Sequence, residues 1–282
     1  MPKLPTTNEI HAIIWQFRIN LHHYLCVELF GYHIHPDIPT ADPNLKVADV
    51  GTGTGIWLTE LAKQLPQTVQ LDALDISFEA TPPAEWLPSN VRTLVWDIKT
   101  DPPEDLIGVY DIVHIRHFTL VLIEEELENV LARLLKLLST LLLPILPADT
   151  EQNPTQKLIR NYIEPGGYLQ WVEVDMSSFR ILKTNPNNQS EALETLFKLS
   201  QGQDKRLSPT YVPSLSSHFE TAGFDNVKYE PRDAPPHLAL AMHECNLLIS
   251  EILARKSKNE KVMELVKGLL PRVEGETRKG SC

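Results

Sequence analysis

Apolar residues recur at helical spacing over residues 7–34, where Ile10, Ile13, Ile14, Phe17, Leu21, Tyr24 and Leu25 form one stripe, so the chain opens on a helical segment. His35-Pro36-Asp37-Ile38-Pro39 ends it, because proline disfavours the helical region for the residue before it. Beyond that point the period switches. Leu45–Val50, Val69–Ile76, Val91–Trp96, Val109–Ile115 and Tyr168–Val174 read as strands, with helices at Ile56–Leu65 and Glu124–Leu138 between them. Repeated strand-helix alternation predicts an α/β fold with a doubly wound, mostly parallel sheet.

After the fifth strand, Glu191–Leu199 and Ser214–Ala222 have helical spacing, Gly223 ends the second of these, and Asn226–Glu230 reads as a sixth strand. His237–Ala254 and Asn259–Leu269 are helical again, and the tail from Pro271 to Cys282 has no apolar alternation. The stretch Ser139–Ile163 contains Pro144, Pro147 and Pro154 and far exceeds the usual connection of about 2–6 residues between a helix and a strand. It is an insertion. The pattern therefore divides the chain into an N-terminal helical lid (1–40), an α/β core (41–232) with an insertion at 139–163, and a C-terminal helical cap and tail (233–282).

A formal net charge of −11 and a pI near 5.4 set up an acidic field that repels phosphate backbones, so nucleic acid is not an expected partner. Cys26, Cys245 and Cys282 are far apart and odd in number, which fits a reducing, intracellular compartment. The cytoplasm is the expected location, or the nucleus for a regulatory protein. The opening residues lack the apolar run of a signal peptide, and the most apolar stretch, Val130–Leu146, is broken by Arg133, Lys136 and Pro144. No membrane span is expected.

The chemistry concentrates at the ends of the predicted strands, where ligands of doubly wound sheets bind. Val47-Ala48-Asp49-Val50-Gly51-Thr52-Gly53-Thr54-Gly55-Ile56-Trp57 is a strand, an acid, three alternate glycines and a helix start. Glycine there permits the tight turn and lets a ligand approach the backbone. The spacing G-x-G-x-G departs from the G-x-G-x-x-G dinucleotide fingerprint and leans toward S-adenosylmethionine. Asp75 ends the second strand, where a carboxylate can accept both hydroxyls of a ribose. Asp97 ends the third, placed to accept a hydrogen bond from an adenine amino group. Asp111-Ile112-Val113-His114-Ile115-Arg116-His117 closes the fourth. Acids on successive strand ends carry far more specificity than the glycine loop alone.

Taken together these words resemble the class I S-adenosylmethionine-dependent methyltransferases, and more narrowly the LaeA-like methyltransferases of fungal secondary metabolism. The resemblance also rests on Phe30-Gly31, His35-Pro36, Leu74-Asp75-Ile76-Ser77, Glu85-Trp86-Leu87-Pro88 and Gly166-Gly167-Tyr168-Leu169-Gln170-Trp171, and covers roughly residues 20–230. It implies a Rossmann-like methyltransferase fold with S-adenosyl-L-methionine as cofactor, with Asp49, Gly51, Gly53 and Gly55 at the methionine moiety, Asp75 at the ribose and Asp97 at the adenine, and with Thr52, Ile76 and Ile98 also in the cofactor set. Arg116 completes the expected cofactor set. It also implies a small polyketide, terpenoid or peptide substrate, and a last antiparallel strand that the tail lacks the alternation to supply.

In-line methyl transfer from a sulfonium needs alignment and exclusion of water more than it needs a metal. A base helps when the acceptor is a hydroxyl or thiol, and His114, His117 and His23 are the candidates because imidazole titrates near neutrality. Tyr24, Trp171 and Glu173 are the expected substrate contacts. His22, His23, His33 and His35 lack the i, i+4 pair of a zinc helix, no cysteine or acid is expected to complete them, and no metal site is expected. Methyl transfer to O, N or S of a small natural product is the leading reading. A regulator that keeps the fold, or a methyltransferase fold turned to cyclisation, fits the same residues.

Overall fold

A computed structural model of the chain describes residues 7–142, 163–201, 205–207, 209–256 and 259–282. Chain contacts divide it into two compact units: residues 34–116 with 128–172, and residues 1–33 with 117–127 and 173–282. The chain leaves the sheet unit after Val172 and joins the unit of the first helix.

The sheet unit holds β1 (Lys46–Val50), β2 (Gln70–Asp75), β3 (Val91–Val95), β4 (Ile112–Arg116) and a fifth parallel strand, Tyr168–Val172. Its neighbour order is β3-β2-β1-β4 and then Tyr168–Val172, with every pairing parallel. The order reverses direction between β1 and β4, which makes the crevice beyond their C-terminal ends the switch point of the sheet. Covered on both faces, β1 buries Val47 through Val50 without alternation. Val47, Trp57, Leu58, Leu61, Leu71 and Ile112 form the core beneath it, with Trp57 to Leu61 supplied by the short helix α2 (Ile56–Leu61). The helix α3 (Leu127–Leu137) leads out of β4, and its last carbonyls are satisfied by the backbone N–H groups of Gly108, Val109 and Tyr110.

A polar network around buried Asp72 ties β2 to β3 and to the residue leading into β4. Asp72, fully enclosed in β2, accepts two hydrogen bonds from the Arg92 guanidinium at 2.8 and 2.6 Å and one from the Tyr110 hydroxyl at 2.8 Å. Burial, and then the Asp72 charge, push the Tyr110 phenol well above its ordinary range.

The insertion begins and ends in a two-stranded antiparallel ribbon, β5 (Thr140–Leu142) with β6 (Ile163–Pro165); its body, 143–162, lies outside the described residues. The strand Tyr168–Val172 is thus β7. The expected sixth strand at Asn226–Glu230 is not a strand. Asn226 takes a left-handed φ of 55°, and Pro231 directly after it cannot donate to a ladder. Among the described residues no antiparallel strand follows β7 in the main sheet.

The other unit is helical: α1 (Thr7–Phe30), α4 (Glu191–Gln201), α5 (Leu215–Thr221), α6 (Pro236–Lys256) and α7 (Glu260–Arg278). The last helix runs well past the expected end at Leu269. Val262, Val266, Leu269, Val273 and Glu276 share one buried face across Pro271, whose ring is exposed. Glu276 explains why the helix persists: its two carboxylate oxygens accept the backbone N–H groups of Ala192 and Leu193 at 2.9 Å each and so cap α4. Beyond α7, Cys282 exchanges backbone hydrogen bonds with Leu182. No helix among the described residues is long and apolar enough to cross a membrane.

Candidate functional site

The loop after β1 is shaped by its glycines. Gly51, Gly53 and Gly55 have φ of 69°, 58° and 71°, in the left-handed region that side-chain-bearing residues seldom adopt. A Cβ built on Gly53 would meet no atom within 4 Å, so protein packing does not demand glycine at that point. Open space beside it is what a ligand lying against the backbone requires. Gly51 and Thr52 donate their N–H groups to the Leu74 carbonyl, which fastens the loop to the end of β2.

Asp75 holds the next turn. One carboxylate oxygen accepts the Gly53 N–H at 2.8 Å; the other accepts from Ile76 and Ser77 at 2.7 and 3.3 Å. A carboxylate offers about four acceptor positions, so Asp75 keeps capacity for a ligand hydroxyl while it braces the loop. Thr81, which the sequence pattern did not single out, locks the loop from the other side by donating to the Gly53 carbonyl at 2.7 Å. Ile76 stands 69 % exposed beside the carboxylate, an apolar surface open to a flat ring.

Asp97 is exposed past the end of β3, where one oxygen accepts the Lys99 N–H at 2.9 Å; Ile98 beside it is buried. Arg116 is the last residue of β4 and pairs in register with Val172.

Asp49 is buried at 4 % exposure, and its carboxylate has partners within the protein. Its carboxylate accepts the Thr52 hydroxyl at 2.7 Å, and its other oxygen lies 2.7 Å from Nδ1 of His114. His114 in turn is 1 % exposed and stacks on the Trp57 indole, with ring centres 3.9 Å apart and planes within 4°. Asp49 and His114 are register partners on β1 and β4, so the pairing of two parallel strands sets this contact.

Trp171 pairs with Ile115 in β7, half-buried. The remaining expected residues belong to the helical unit. Glu173 spends one carboxylate oxygen on the N–H groups of Phe118 and Thr119, at 2.7 and 3.2 Å, and so caps the turn at 118–120. Tyr24 is exposed on α1. His23 is fully buried and in ring contact with Tyr24 and His33. His117 stands in the left-handed region at φ 61° with its ring edge-on to His22, centres 4.4 Å apart.

One grouping corrects the expectation that no cysteine completes the N-terminal histidines. His22 and Cys26 are one turn apart on α1, and the structure gathers both with His117, their donor atoms all within 4.8 Å of one another. The i, i+4 partner absent among the histidines is a cysteine.

No family model matches the chain. It is similar to fungal methyltransferases: 28 % identical over 213 residues to methyltransferase grgD of a Penicillium species, covering 71 % of this chain and 64 % of that protein. It is 32 % identical over 100 residues to N-methyltransferase tcpN of Claviceps purpurea, 35 % of this chain and 36 % of that one. Against N-methyltransferase gliN of Aspergillus fumigatus it is 34 % identical over 97 residues, 34 % and 33 % of the two chains. The chain thus spans just under two thirds of the Penicillium relative's length and about a third of the other two.

Proposed function

We propose that this chain, similar as it is to fungal methyltransferases, binds S-adenosyl-L-methionine and transfers its methyl group to a nucleophilic atom of a small molecule. The observation that carries the proposal is the loop Gly51–Gly55: left-handed glycines with open space at Gly53, braced by the Asp75 carboxylate at a switch point of a parallel sheet. Bound there, the cofactor would supply a sulfonium-activated methyl, whose bond to sulfur breaks as the acceptor's lone pair forms the new one.

The residues divide that work by position. Asp75 offers its free acceptor positions to the ribose hydroxyls, Ile76 its apolar surface to the adenine, and Asp97 an acceptor for the adenine amino group. Gly51, Gly53 and Gly55 admit the methionine portion against the backbone. Asp49 and His114 act as positioning residues: enclosed and bonded to each other, they fix Thr52 and the start of the loop. His114 is therefore not our choice of base. An uncharged nitrogen acceptor needs no strong base before attack, and two relatives carry the name N-methyltransferase, which favours nitrogen over oxygen or sulfur as the methylated atom. Its net charge of −11 favours a neutral or cationic small molecule over nucleic acid.

Calorimetric titration of the folded full chain with S-adenosylmethionine tests the cradle, with saturable one-to-one binding expected. Label from methyl-labelled cofactor should then appear on amine- or amide-bearing natural products. Binding without label on any acceptor removes the transferase reading, and absence of binding removes the cofactor reading as well.

A further inference from the structure

We propose that His22, Cys26 and His117 form a transition-metal site, with Zn²⁺ as the ion that its chemistry suits. The site lies wholly within the helical unit and does not depend on cofactor binding or methyl transfer.

Helical spacing comes first. Residues i and i+4 stand one above the other on a helix face, so His22 and Cys26 present an imidazole and a thiol side by side. Cys26 Sγ lies 3.3 Å from Nδ1 of His22. A tetrahedral zinc centre with Zn–N near 2.1 Å and Zn–S near 2.3 Å puts such donors about 3.6 Å apart, so this pair already has a ligand-pair spacing. His117 brings the third donor from the turn before residues 118–120, and its ring meets that of His22 edge-on at 4.4 Å. With all three donor atoms inside 4.8 Å, side-chain rotation of about an ångström closes the set.

The donor chemistry selects among cations. Two imidazoles and a thiolate suit Zn²⁺ and other borderline or soft ions, whereas Mg²⁺ and Ca²⁺ prefer oxygen. Cys26 is buried while His22 and His117 are partly exposed, so the group has a dry side and a wet side. Three protein ligands leave a fourth position for water or another donor. Metal binding deprotonates the thiol, S–H giving S⁻ and a released proton, and clamps α1 to the turn at 118–120.

Chelator-treated full-length protein is titrated with Co²⁺ as a spectroscopic probe and then with Zn²⁺ in competition. Expected are saturation at one equivalent, thiolate-to-cobalt charge-transfer absorption with tetrahedral visible bands, and displacement by Zn²⁺. Cys26→Ser should abolish the charge-transfer band, and His22→Ala, on a half-exposed helix position, should weaken Zn²⁺ binding at least tenfold with the far-ultraviolet dichroism unchanged. Cys245→Ser should keep the band. The proposal is overturned by a folded protein that shows no charge-transfer band, by a band that survives Cys26→Ser, or by unchanged Zn²⁺ affinity in a folded His22→Ala.

Discussion

Nδ1 of His114 lies 2.7 Å from Oδ1 of Asp49, and the two residues are register partners on adjacent parallel strands. Both are buried, and the Asp49 carboxylate takes its polar satisfaction from His114 and Thr52. His114→Phe should keep the stacking on Trp57 yet leave the carboxylate with one fewer partner, costing about 2–4 kcal/mol. Urea denaturation measures it, and a loss under about 0.5 kcal/mol would show the pair contributes little.

Two glycines should respond differently to the same change. Gly53→Ala places a methyl in open space at φ 58°, so stability should fall by about 1–2 kcal/mol while S-adenosylmethionine affinity falls at least tenfold. A Cβ on Gly167 would sit 2.9 Å from the Tyr110 carbonyl oxygen, so Gly167→Ala should destabilise by about 1–3 kcal/mol and leave the affinity of the folded fraction unchanged. Paired melts and titrations separate the two, and equal affinity losses would contradict a ligand at Gly53.

Asp75→Ala removes both a brace on the loop and the proposed ribose acceptor. Charge-assisted hydrogen bonds contribute about 1.5–3 kcal/mol, which predicts a loss of cofactor affinity of roughly tenfold to a hundredfold. Asp75→Asn should lose less. Equal affinity of wild type and Asp75→Ala in calorimetry would rule the residue out of the site.

Glu276→Ala strips the cap from α4 and leaves the N–H groups of Ala192 and Leu193 without their acceptors. The expected cost is about 1–3 kcal/mol, read by thermal or urea unfolding. Hydrogen exchange should accelerate first at those two amides, and unchanged protection there would remove the cap from the account.

His243, on α6, lies with Nε2 3.0 Å from the Thr277 hydroxyl, and burial lowers its pKa below the ordinary 6.5. Below about pH 6.5 the unfolded chain takes up a proton at this residue that the folded chain resists, so stability falls on acidification. Above that pH both states are neutral and the contribution is constant. His243→Gln should flatten this part of the stability profile between pH 7 and 5, and an identical slope in the variant would refute the assignment.

β1, β2 and β4 were legible in the sequence because they are buried runs, and Asp75 ends β2 while Gly53 lies in the turn after β1. Asn226–Glu230 misled, since a short run of mixed residues carries no record of whether a strand edge is free to pair with it. The end of α7 was hidden by Pro271 and Gly275, which signal a break in isolation, whereas the buried face through Val273 and Glu276 outweighs them. His22 and Cys26 stand in helical register, contrary to the expectation that no cysteine completes the histidines, but their third donor, His117, lies far along the chain.

By itself the sequence determined the α/β class, the positions of the strand ends and the chemistry available there, because burial period and glycine conformation are local properties written residue by residue. Tertiary structure alone decided that Asp49 turns inward to His114, that Glu173 caps a turn, that Glu276 reaches α4 and that His117 joins His22 and Cys26. Each of those facts joins residues distant along the chain. Which partner satisfies a buried polar group depends on strand register and helix packing, and those are settled only when the whole unit closes around its core.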